Sequence, residues 1–181
     1  MNLTTLEYPP LTEDIEEAKN HLDKYGMALI ANVLSGDEID EMDQRLNEQF
    51  LGEEKYKVGS KVRGDEGLGF ESSEEEKVSR LVWNLINKGD CFLKLIDHPK
   101  ILPLIQHLIG EKVCLCSMGA HMNGSGNEKM ALHQDQWPLV PHPMDFPFMA
   151  NVMYLISDNS PENGGTRLIP GSHKWPLIDY R

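Results

Sequence analysis

The residues best suited to chemistry in this chain are His133 and Asp135, two apart in the run Leu132-His133-Gln134-Asp135. Successive side chains of a β-strand point to opposite faces, so on a strand these two share a face and can converge on one ion. Imidazole and carboxylate together suit a first-row transition metal. A second histidine from elsewhere would complete a two-histidine, one-carboxylate facial triad, which leaves coordination positions open for an oxidisable co-substrate and oxygen. The spacing alone is not specific, because a histidine and an aspartate two apart are more often a surface pair. The surrounding segments decide the reading.

Such residues must be carried by a scaffold, and the chain after Gly110 has the texture of one built from strands. Short β-type runs at 112–121, 130–137, 148–156 and 166–169 alternate with Asn123-Gly-Ser-Gly-Asn, the proline-rich stretch 138–147 and Asn159-Ser-Pro-Glu-Asn-Gly-Gly, all turn or loop signals. The front is different. Ile15, Ala18, Leu22 and Tyr25 recur at helical spacing, with Thr12 placed to cap the helix and Gly26 to close it. A strand is expected over 27–33. Ser35 and Glu38 form a capping-box pattern, continued on one helical face by Ile39, Met42, Leu46 and Phe50. Residues 52–77, rich in Gly, Glu, Lys and Ser, predict a mobile surface segment. Residues 78–87 and 91–98 look partly helical, and Pro99 suits the first turn of a helix running to Gly110. The expectation is one α+β domain over 1–181, mainly helical in 1–110 and β in 111–181.

Three segments carry more than periodicity. Leu132-His-Gln-Asp-Gln-Trp-Pro, then Ala150-Asn-Val-Met-Tyr, then Glu162-Asn-Gly-Gly-Thr-Arg-Leu-Ile-Pro-Gly-Ser-His-Lys-Trp resemble, in order and spacing, the phytanoyl-CoA dioxygenase (phytanoyl-CoA hydroxylase) family of iron(II), 2-oxoglutarate-dependent oxygenases. The resemblance implies N-terminal helices packed on a double-stranded β-helix, a cupin-like jelly-roll barrel with iron in its mouth. His133 and Asp135 then match the family's first two metal ligands, with Fe(II) as cofactor and 2-oxoglutarate and molecular oxygen as co-substrates. The implied reaction is hydroxylation of an unactivated carbon in a small or lipid-like substrate, with release of succinate and carbon dioxide. Asp135 favours hydroxylation over halogenation, since related halogenases carry a small residue there. The family's third ligand, a distal histidine, and its 2-oxoglutarate-binding arginine lie downstream of the Pro-Gly-Ser-His segment, whereas this chain ends at Arg181. Against the roughly eight strands of a jelly roll, four candidates follow Gly110, so the C-terminal strands of the barrel are expected to be missing and the chain to be a fragment.

The remaining candidates are weaker. Asn151 and Met153 fall on one face of a strand that should neighbour the His-x-Asp strand, and either line the 2-oxoglutarate pocket or pack the core. Gln136 and Trp137 are candidates to reach substrate or co-substrate, although an aromatic next to a proline, as Trp137 is, more often simply packs. Arg80 stands roughly where relatives put a cationic residue near the co-substrate; a surface ion pair explains it equally well. His173, in a turn, is expected to make a hydrogen bond rather than bind metal. His142 reads as a loop residue and His121 as structural. His21, His98 and His107 receive no function, Arg167 reads as structural, and Glu74 to Glu76 as a solvated face.

Composition bounds the partners. With 29 acidic against 17 basic residues, the net charge of -12 repels a phosphate backbone, and no Lys/Arg run offsets it, which excludes nucleic acid as the expected partner. No stretch approaches the roughly 20 apolar residues of a membrane span, and the amino terminus lacks a secretion pattern, so a cytoplasmic location is expected. Cys91, Cys114 and Cys116 read as buried free thiols. A second functional class remains: a non-catalytic jelly-roll binding or structural protein whose open strand edges pair with another copy.

Overall fold

Asp14 opens the first helix, and the computed structural model, which describes residues 6–62, 79–123, 132–133, 135–136 and 146–175, builds outward from there. Helix α1 (Ile15–Tyr25) is capped by the Asp14 carboxylate, which accepts from the amides of Glu16 and Glu17 at 2.8 and 2.9 Å. Thr12, the expected cap, is instead drawn into strand β1 (Leu11–Thr12), parallel to β2 (Leu29–Ile30). Its hydroxyl accepts from the Asp14 amide at 3.1 Å and donates to the Glu17 carboxylate. Gly26 closes α1 at φ 75°, a left-handed conformation that glycine adopts without a Cβ penalty. The strand expected over 27–33 contracts to β2.

Helix α2 (Gly36–Tyr56) starts at the expected capping box, with Ser35 and Glu38 bonded reciprocally. It buries Met42, Leu46 and Phe50 on one face. It also runs past Gly52 into the stretch read as a mobile segment, because Glu53, Glu54 and Lys55 are good helix formers and Gln49 bonds Glu53 one turn on, at 2.9 Å. Strand β3 (Ser60–Val62) follows. The rest of that expected segment, and Glu74 to Glu76 within it, lie outside the described residues.

The expectation of helix over 78–87 is corrected for its first half. Ser79–Trp83 is strand β4, central in an antiparallel sheet of order β3-β4-β5, with β5 at Gly119–Met122. A short apolar run does not by itself separate strand from helix; ladder partners on both sides decide it here. Helical geometry begins only at a 3-10 turn, Leu85–Asn87, after Asn84 at φ 55°. Helix α3 is Asp90–Leu93, and α4 is Leu102–Ile109, so Pro103 and not Pro99 occupies the first turn.

The core lies where α2, α3 and β4 meet, formed by Met42, Leu46, Phe50, Val82, Leu85, Cys91, Phe92 and Leu95. Met118 and Ala120 from one extended segment, and Tyr154 and Ile156 from another, pack against it at spacing two. One face of each segment therefore rests on the helical layer, and the Tyr154 hydroxyl donates to the Leu95 carbonyl at 2.8 Å. Burial pushes the Tyr154 phenol up to about 12.

Of the strands expected after Gly110, only the end of the first is in a ladder. The described parts of 130–137, 148–156 and 166–169 carry no strand pairing, and no jelly-roll barrel is present among the described residues. What stands is a mixed fold of helices and two small sheets. The cysteine expectation splits accordingly: Cys91 is buried, whereas Cys114 and Cys116 are exposed on an unpaired extended segment.

Candidate metal centre

His133 and Asp135 are brought together. The His133 Nε2 stands 3.4 Å from Asp135 Oδ1, both side chains being about half exposed. Two atoms bound about 2.1 Å from a first-row divalent ion at right angles lie about 3 Å apart. The observed pair therefore suits adjacent positions on one ion, and its nitrogen and carboxylate oxygen are the donor types such an ion takes. The backbone here is a turn at Asp135 and Gln136, not the expected strand. Among the described residues, no group of three or more His, Cys, Asp or Glu converges as a complete metal site.

Two further expected residues join this pair. The Asn151 Nδ2 donates to Asp135 Oδ2 at 2.5 Å. Gln136 Oε1 accepts from two consecutive backbone amides, those of Phe148 at 2.6 Å and Met149 at 2.9 Å. The turn at 135–136 is thus tied twice to the segment that leads into Tyr154. Met153 lies two residues beyond Asn151 and is exposed, while Tyr154 and Ile156, out of phase with it, face the helical core.

Arg80 lies on β4 and pairs with Glu54 of α2 at 3.3 Å. The surface ion pair weighed for it is formed. His121 sits on β5 opposite Leu81, and desolvation lowers its imidazole below the usual 6.5, which favours the neutral ring. Trp137 and His142 lie outside the described residues.

His173 is placed elsewhere. Its Nε2 stands 3.3 Å from the Asp23 carbonyl, to which an Nε2–H can donate, and the neighbouring Gly171 amide donates to the Tyr25 carbonyl at 2.7 Å. The Pro-Gly-Ser-His segment thereby docks on the last turn of α1. A Cβ at Gly26 would stand 2.4 Å from His173 Nδ1, so the absence of a side chain there admits the ring. The expected hydrogen-bonding role fits this placement. Sequence reasoning missed the amides of Phe148 and Met149 as partners, since a backbone N–H carries no residue signature.

Known proteins resemble the chain over most of its length. A dioxygenase of Aspergillus fumigatus, af480, is 29% identical over 166 residues, covering 91% of this chain and 51% of the relative. A probable alpha-ketoglutarate-dependent hypophosphite dioxygenase of Stutzerimonas stutzeri is 28% identical over 168 residues, covering 92% of the chain and 56% of the relative. A second Aspergillus fumigatus dioxygenase, sphC, is 24% identical over 173 residues, covering 90% and 46%. The chain spans about half the length of these curated relatives. No solved structure matches it. The family model described as phytanoyl-CoA dioxygenase (PhyH) matches residues 22–181, from within α1 through the His-x-Asp turn to the last residue, and the chain belongs to that family.

Proposed function

We propose that this chain is part of an iron(II)- and 2-oxoglutarate-dependent dioxygenase that hydroxylates an unactivated carbon of a small or lipid-like substrate. The observation that carries the reading is the approach of His133 Nε2 and Asp135 Oδ1 to 3.4 Å, in a chain of this family. In it, His133 and Asp135 would hold the metal. Bound iron with 2-oxoglutarate supplies activated oxygen, with succinate and carbon dioxide as co-products. The protein's own work is to hold the two donors, present the co-substrate and keep bulk water away. Asn151, bonded to Asp135, and Met153, two residues on, are assigned to the wall of the co-substrate pocket, with Gln136 holding that wall to the turn. Arg80, engaged with Glu54, is retained as a candidate cation for the co-substrate. The third ligand and the 2-oxoglutarate-binding arginine are assigned to sequence beyond the Pro-Gly-Ser-His segment, as the half-length coverage of the relatives supports.

The test is an anaerobic titration with iron(II) and 2-oxoglutarate, following the visible charge-transfer band of the chelate, in the chain as given and extended through a full barrel. The extended protein is expected to show the band and to lose it on Asp135→Ala. A band that survives Asp135→Ala would remove Asp135 from the metal and overturn the ligand assignment.

A further inference from the structure

We propose that Asn151 is a positioning residue for the Asp135 carboxylate, selecting which of its oxygens faces the metal; this rests on the reading of His133 and Asp135 as ligands. A carboxylate has two oxygens and several lone-pair directions, and its terminal torsion is broad and two-fold. Asp135 is about half exposed, so packing does not choose between its orientations. The Asn151 amide does. By donating to Oδ2 at 2.5 Å it occupies one oxygen and leaves Oδ1 toward His133 Nε2. A metal ligand held by an outer hydrogen bond needs less ordering when the ion arrives.

Asn151 is itself held. Gln136, the residue after Asp135, accepts the amides of Phe148 and Met149, and Tyr154 anchors the far end of the same segment to the Leu95 carbonyl. Asparagine suits the task because its amide donates without charge. A lysine or arginine there would neutralise the carboxylate and compete with the ion, and an aspartate would repel it. This makes Asn151 a partner of the ligand, where its sequence position suggested a pocket-lining or a core residue.

Manganese(II) serves as the probe, since it binds oxygen and nitrogen donors and its electron paramagnetic resonance signal reports free and bound ion. The full 181-residue chain is compared with Asp135→Ala, Asn151→Leu (similar shape, no donor) and Asn151→Ser (donor kept), with far-UV circular dichroism and thermal unfolding as checks of folding. The expected result is loss of binding in Asp135→Ala and an affinity roughly 10-fold or more weaker in Asn151→Leu, with broader bound-ion lines. Asn151→Ser is expected to recover part of the affinity, and folding to be unchanged. Asn151→Leu binding as tightly as the parent, while Asp135→Ala does not bind, would overturn the positioning role and leave the ligand reading intact. Binding unaffected by Asp135→Ala would overturn the ligand reading and this inference with it.

Discussion

At the residue scale, small polar contacts set most of the local geometry. Asp135 is oriented by Asn151, the turn beside it by Gln136, and α2 starts where Ser35 and Glu38 satisfy each other. The last of these makes a pH prediction. The backbone amide of Ser35, then its hydroxyl, hold the Glu38 carboxyl below its ordinary 4.5. A folded-state value below the unfolded one contributes stability that is fully present above 4.5 and is lost as pH falls through the lower, folded value. Glu38→Gln should therefore be less stable than the parent in urea titrations at about pH 7, with the gap narrowing at about pH 4. A gap that stays constant on acidification would mean that the carboxylate charge is not what the cap uses.

Between elements, the joints are few and specific. Gly26 joins α1 to the Pro-Gly-Ser-His segment through a left-handed backbone and the space that His173 fills. Gly26→Ala should cost about 1–3 kcal/mol, measured by chemical denaturation, since both the positive φ and the approach of the ring oppose a methyl group; a variant as stable as the parent would show that the segment does not dock there. Phe92 of α3 is 1% exposed at the centre of the core, and Phe92→Ala should cost about 3–5 kcal/mol. A much smaller loss would mean that α3 is not packed as described. Tyr154→Phe tests the anchor of the extended segment: removing the bond to the Leu95 carbonyl should cost about 0.5–1.5 kcal/mol and abolish the tyrosinate transition shifted to about 12 in ultraviolet titration. An unchanged stability would place that hydroxyl in solvent.

For the whole molecule, two features oppose each other. The net charge of -12 keeps copies apart. Leu132, Phe146, Phe148, Met153 and Leu155 leave large apolar side chains exposed along the β-type half, and among the described residues β3 and β5 are the edge strands of their sheet. Screening the charge should then favour association: raising salt from about 20 mM to about 500 mM, which shortens the screening length severalfold, is expected to increase the scattering mass, and Phe148→Ser with Leu155→Ser to reduce the increase. A mass independent of salt would dispose of self-association through this half. Among the described residues no helix is long and apolar enough to cross a membrane.

The capping box at Ser35, the glycine stop at Gly26 and the face Met42-Leu46-Phe50 were legible because each depends on residues within one or two helical turns. The three-segment pattern that marks the family was legible as well, since order and spacing are properties of the chain itself. Tertiary structure decided the rest. Whether 79–83 is strand or helix depended on partners at 60–62 and 119–122, and whether 148–156 joins a ladder depended on a neighbour that no local residue specifies. Asp14 displaced Thr12 as a cap because Thr12 was claimed by pairing with β2. Burial divided Cys91 from Cys114 and Cys116, although all three are the same residue type. The contact of Asn151 with Asp135 spans 16 residues of chain and exists only once the turn and the extended segment are placed side by side. Local chemistry is written in the sequence, whereas pairing and side-chain approach are set by which distant segments pack together.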